Sequence, residues 1–342
     1  MTDLLFQEPP PPAPPEQSVE RPRSINVSLG TSDQIFRGAV RLIGILTLVM
    51  TGAIALFLGK QLMPTIHRYG FGFFTGAKWS PTAPPFKVGI SGALVGTAEV
   101  AIVAVLVGFP LALLTALYIT EYAPTRLRPA LVSLVDLMAA VPSIIFGLWG
   151  FFALQPQAKN VSRWISQNLN WIPFFKVNTD PNAGSWAQSQ YVGSAFIAGI
   201  CVGMMIIPLA CSVMRGVFVL TPVGEKEAAY ALGSTKWGMI RTVVLPFGRG
   251  GIIGGTMLGL GRALGETIAV LLIISSIDGI KFRVLTVGTN TVSALIAGKF
   301  GESTGPQLNA LIAAGFVLFI LTLGVNTIAA MFVARSRSGA GT

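Results

Sequence analysis

Apolar residues in this chain are gathered into long runs, and most charged residues fall in the stretches between them. A helix needs roughly 20 apolar residues to cross the hydrocarbon core of a bilayer. The first run, 42–58, is opened by Arg37 and Arg41 and closed by Lys60. The second, 90–120, holds one acid, Glu99. The third, 131–154, contains Asp136 and Pro142, and the fourth, 191–214, carries no charge. The fifth, 250–277, is interrupted by Arg262 and Glu266. The sixth, 308–334, is again uncharged and is followed by Arg335 and Arg337. Between the fourth and fifth runs, 215–249 is polar with a helical pattern. The pattern predicts an all-α polytopic membrane protein with about six transmembrane helices and both termini on one side.

Composition agrees with that pattern. The 342 residues are 52% hydrophobic and only 11% charged, where a soluble globular domain carries about 25% charged residues. A water-soluble chain this poor in charge could not cover its own surface, so the surplus apolar residues face lipid. The net charge of +10 comes from 24 Lys and Arg scattered over many connections. That scatter is unlike a nucleic-acid-binding face and fits loops beside anionic membrane lipid. Thirteen of the cations fall on the side of the termini and ten on the opposite side, a small bias toward cytoplasmic termini.

The polar residues 1–40, with prolines at 9–12, 14 and 15, predict a disordered cytoplasmic tail rather than a cleavable signal. A first transmembrane helix and extracytoplasmic loop follow at 41–87, and a helical core at 88–335 contains the 215–249 loop. Cys201 and Cys211 lie in one apolar run without a nearby ligand set, so they read as packing residues, not a disulfide or metal site. His67 stands alone in a polar stretch. No Gly-x-x-x-x-Gly-Lys-Ser/Thr phosphate loop occurs, so the chain supplies no ATPase of its own. No catalytic constellation and no cofactor site are legible.

The most informative stretch lies in the polar loop. Glu227, Ala228 and Ala229 are followed after three residues by Gly233, after nine more by Val243, and then by Leu245 and Pro246. Acids at Glu225 and Glu227 suit the start of a short helix. The small alanines allow a partner surface to come close. Gly233 permits a chain reversal, and Pro246 restricts the return to the membrane. This spacing resembles the EAA coupling loop of ABC-importer permeases, with Val where Ile is usual. In that family the loop sits in a cleft of a separate ATPase and passes its closure to the membrane helices. An ordinary amphipathic loop is the plainer alternative.

Two further patches bear on substrate. Arg262 and Glu266 are four apart, so on one helix they would share a face and pair. Charges inside a span are costly and normally face a protein interior or a watery path. An arginine there could meet an oxyanion bidentately, or the pair could lock or gate the fifth helix. Gly259, Gly261 and Gly265 would let another helix come close. Pro142 and Ser143 break the third helix, either to line a path or as a packing kink.

Over 71–335 these patches, with the aromatic loop around Phe73, Phe74 and Trp79, resemble the permease subunits of phosphate ABC importers. They are closer to the PstC type than to the PstA type. The resemblance implies the MetI-like permease fold in the plasma (inner) membrane of a prokaryote, with Arg262 and Glu266 in the substrate path. It also implies a PstA-like second permease, a dimer of PstB-like ATPase, and a PstS-like phosphate-binding protein docking near Trp79 and Trp171. An importer for molybdate or sulfate, or a secondary transporter run by ion gradients, are the other readings.

Overall fold

The computed structural model describes residues 30–81, 87–177 and 189–337, with side chains as far as 331. The Pro-rich stretch and Trp186 lie outside the described residues. Contacts divide the chain into two units, 1–52 and 53–342. The described part of the first is the opening of α1 (Thr31–Tyr69), so helix begins at Thr31, ahead of the start near 41 that composition suggests.

The second unit is a helical assembly. The remainder of α1 leads to a single turn, α2 (Gly72–Thr75), and to a two-stranded antiparallel ribbon, β1 (Trp79–Ser80) and β2 (Lys87–Val88), in which Trp79 faces Val88. Helix α3 (Ser91–Leu117) runs into a π-helical turn at Tyr118–Tyr122. Then α4 (Arg128–Ala139) stops, and α5 (Ser143–Trp149) continues through a second π turn, Gly150–Leu154, into α6 (Gln155–Asn168). Next comes α7 (Ala195–Phe218), followed by α8 (Val223–Ala231), α9 (Lys236–Met239) and α10 (Leu245–Phe247). The chain ends with α11 (Arg249–Gly265), α12 (Ile268–Ile273), α13 (Val292–Lys299) and α14 (Pro306–Arg337).

Among the described residues, four helices are long and apolar enough to cross a membrane: α1, α3 with its π turn, α7, and α14 over 306–331. Two bent pairs raise the number to six. The α4 segment and 143–168 meet at 89°, and 236–247 meets α11 at 70°. The third run of the sequence is therefore a broken helix rather than a straight rod; the 70° bend falls just ahead of the fifth run, which has its own break where α11 stops at Gly265 and α12 starts at Ile268. The physical reasons are local. Pro142 takes φ −59°, ψ 141° and cannot continue α4, while Gly248 offers no side chain at the second bend.

The centre of the fold is the contact of α3 with α7. A Cβ at Gly199 would come within 2.5 Å of Val103, and one at Gly203 within 3.0 Å of the Ala104 carbonyl oxygen, so these helices touch backbone to side chain. On another face of α7 lies α11, whose Gly251, Gly255 and Gly259 recur every four residues against Val217, Met214 and Ile206. Helix starts are capped where the chain leaves extended backbone. Ser194, Thr235 and Thr291 accept from the amides of Ile197, Gly238 and Ala294 respectively.

Candidate functional site

The two breaks in the membrane helices are brought side by side. Helix α5 begins at Ser143 just past Pro142, and α12 begins at Ile268 just past Glu266 and Thr267. The two pack in register. Gly147 lies against Ala269 and Leu272, and Gly150 against Ile273 and Cys201. Cys201 is buried, and its Sγ donates to the Phe146 carbonyl at 3.1 Å, which binds α7 to the same junction.

Arg262 stands in the last turn of α11, exposed, with Leu258 and Gly265 on the same open face. Glu266 does not share that helix. The helix closes at Gly265, and Glu266 takes extended backbone at φ −66°, ψ 131°. It is 9% exposed, its Oε1 accepts from the Ala269 amide at 3.4 Å, and its own carbonyl accepts from Ser293 Oγ at 2.6 Å. No ion pair joins Arg262 to Glu266 among the described residues. The i, i+4 pairing inferred from spacing fails because it presumes an unbroken helix. Glu266 instead opens α12, where a carboxylate suits the helix start. Of the three glycines near Arg262, Gly259 faces Ile206 and Gly261 faces Asn326, but nothing approaches Gly265.

At the other end of the molecule, 215–249 forms a helix–turn–helix. Glu227, Ala228 and Ala229 lie in α8. Ala229 is buried, while Glu227 and Ala228 are not. The helix stops as Leu232 and Gly233 donate back to the Ala228 and Tyr230 carbonyls, and Gly233 takes φ 81°, which a side chain disfavours. Leu245 and Pro246 open α10 after a π turn at Ile240–Val244. Met239, Ile240 and Val244 are buried with Met214 and Phe218 of α7, so the loop is packed onto the membrane helices rather than hung from them.

Two ties to the end of α3 were not legible in the sequence. Lys226 donates to Glu121 Oε1 at 2.6 Å, with the Glu121 side chain only 7% exposed, and the Lys236 ammonium lies 4.6 Å from the Tyr122 ring centre. These partners are more than 100 residues apart, so no local pattern pairs them. Asp136 likewise meets Arg215 at 3.4 Å. Glu99, noted only as the single acid of its run, is buried in α3 with both carboxylate oxygens unpartnered among the described residues.

On the opposite face, strands of loop run together. The amides of Ser275, Val287 and Val284 donate to the carbonyls of Gly193, Gln190 and Phe174. Trp171 is 78% exposed there, but Trp79 is 6% exposed and its amide donates to Asp278, so Trp79 is part of a core and not a docking surface. An indole in a ribbon of alternating faces turns inward when its neighbours supply an apolar pocket, here Phe73, Ile90 and Leu311.

Residues 108–338 match the model of the family described as binding-protein-dependent transport system inner membrane component. The phosphate transport system permease protein PstC of Mycobacterium leprae is 40% identical over 289 residues, covering 84% of this chain and 88% of that protein. PstC of Xylella fastidiosa is 39% identical over 277 residues, covering 81% and 82%. Among solved structures, a chain of a bacterial alginate ABC transporter in complex with an alginate pentasaccharide-bound periplasmic protein superposes with a TM-score of 0.52 at 18% identity. That match covers 86% of this chain and 94% of the other, and it speaks to the fold alone.

Proposed function

The chain belongs to the family of binding-protein-dependent transport system inner membrane components, and from that premise we propose that it is the PstC-type permease subunit of an ATP-driven phosphate importer. The observation that carries the reading is the 39–40% identity to phosphate permeases over more than four-fifths of the chain. The chain crosses the membrane and forms part of the path. Hydrolysis belongs to a separate PstB-like ATPase dimer, a PstA-like permease completes the channel, and a PstS-like protein delivers phosphate. The 215–249 loop lies on the cytoplasmic side with both termini.

The geometry suits that work. Helix α8 presents the exposed Glu227 and Ala228 to the ATPase. Its far side is joined to the end of α3 by Lys226, and its buried Ala229 shares with Met239 and Ile240, from α9 and the π turn, the cluster that holds Met214 and Phe218 of α7. A displacement of α8 on ATP binding therefore acts on the two helices at the centre of the fold. Arg262 hangs at the end of α11 with no ion-pair partner among the described residues, next to a break in the helix, where a guanidinium can take two oxygens of a phosphate at once. Because Glu266 is committed to the start of α12, Arg262 carries no carboxylate that the substrate must displace. Glu266 acts by fixing where α12 begins. The junction of α5 with α12 gives the path a place to open, since each half-helix can turn about its break.

Phosphate uptake into proteoliposomes that hold all four kinds of subunit tests this. Arg262→Gln is expected to abolish uptake in a complex that still assembles, and Glu227→Ala to uncouple ATP hydrolysis from uptake. Uptake without ATP, or normal uptake by Arg262→Gln, would show that the mechanism or the anion site is wrong. Competition by molybdate or sulfate as strong as that by phosphate would move the substrate to another oxyanion.

A further inference from the structure

Where α1 ends and α14 begins, on the face opposite the 215–249 loop, a cavity of about 330 Å³ is lined by Thr65, His67, Arg68, Tyr69, Pro306 and Asn309, among others. Two of the lining residues carry buried hydroxyls that have no hydrogen-bond partner among the described residues. One belongs to Thr65, which is only 2% exposed, and the other to Tyr69. Thr221 and Thr289 outside the helices also carry unpartnered buried hydroxyls, but among buried threonines within the described helices Thr65 departs from the pattern. Thr47, Thr51, Thr97, Thr256 and Thr327 each donate to the carbonyl four residues back at 2.7–2.9 Å, which is the ordinary way for a helical threonine to satisfy itself. Buried polar atoms nearly always have a partner. An acceptor from outside the chain would meet both hydroxyls.

The surroundings say what kind of acceptor. Arg68 is exposed beside the cavity, its guanidinium 5.8 Å from the Tyr69 ring centre, and His67 is exposed next to it. No carboxylate is on the wall among the described residues. Pro306 is the first residue of a 32-residue helix, so the positive end of α14 faces the same space. A guanidinium, an imidazole, hydroxyl donors and a helix N-terminus together suit tetrahedral oxygens of phosphate. Depth points the same way. Counted from Leu42, the ~20 residues that fill the hydrocarbon end near Gln61, and Thr65 lies about 6 Å further along the helix, among lipid headgroups.

We propose that this cavity binds a tetrahedral phosphate group, carried by a phospholipid headgroup or free in solution, with Arg68 supplying charge and Thr65 and Tyr69 donating to its oxygens. The site is separate from the path at Arg262 and does not depend on the transport reading.

The test uses the full complex in dodecyl maltoside, which carries no phosphate, with or without added phosphatidylglycerol. Native mass spectrometry counts retained lipid. A parallel calorimetric titration with inorganic phosphate is run in the detergent alone and in an Arg262→Gln background. Thr65→Val, which keeps the shape and removes the hydroxyl, and Arg68→Gln are each expected to weaken binding about tenfold, while Thr65→Ser restores it. Loss in the phosphatidylglycerol arm identifies a lipid, and loss in the titration identifies free phosphate. If neither probe is held above the lipid-free background, or both variants bind like the unaltered chain in both arms, the site does not exist.

Discussion

The junction of α5 with α12 makes a demand on a single atom. A Cβ placed at Gly147 would stand 2.8 Å from the Cα of Ala269 and 2.9 Å from Leu272 Cδ1. Carbon atoms attract at about 3.5–4.0 Å, so the first contact falls about 0.7 Å short. Leu272 can turn its end away, but Ala269 Cα belongs to the backbone and cannot. Gly147→Ala therefore forces α5 and α12 apart or leaves them strained. Overpacking of this kind costs about 1–3 kcal/mol, set against the ~1 kcal/mol by which alanine favours helix over glycine. The net expectation is a loss of up to about 2 kcal/mol. Because the strain falls where two half-helices meet, phosphate uptake should fall more than complex assembly does. Thermal unfolding of the purified complex and uptake in proteoliposomes measure the two effects. Gly216→Ala on α7 is the control, since nothing lies within 4 Å of its added Cβ. If Gly147→Ala melts and transports like Gly216→Ala, the close packing of the broken helices has no part in function.

Two further outcomes follow from the 215–249 loop. Gly233 has open space around an added Cβ but φ of 81°, so Gly233→Ala is expected to cost about 1–2 kcal/mol from backbone conformation alone, with Gly233→Asn milder. ATPase-subunit binding measured for both would show no difference if the left-handed turn were unimportant. Lys226→Ala leaves Glu121 inside without its ammonium and is expected to cost about 1.5–3 kcal/mol, as for a hydrogen bond to a charged group. In the thermal melt, Lys226→Met with Glu121→Gln should recover part of that loss, and no recovery would mean that the pair does not bind α8 to α3.

The apolar runs had to become membrane helices, because their length and lack of charge leave no other stable place for them in water or lipid. The fixed positions from Glu227 to Pro246 were similarly readable, since a helix, a glycine turn and a re-entrant proline are local events. Gly233 does take the positive φ that a reversal there requires. What lies between neighbours far apart in sequence was not readable. The pairing of Arg262 with Glu266 assumed a continuous helix, and tertiary packing ended it at Gly265, drawing Glu266 to the amide of Ala269 and to Ser293. Trp79 looked like a docking residue until a pocket of side chains closed over it. Lys226 found Glu121, and Gly147 found Ala269, across about 100 residues or more. Period and composition report what each residue does for its own segment, whereas a broken helix, an ion pair between loops and an unpartnered hydroxyl depend on which surfaces the whole chain brings together.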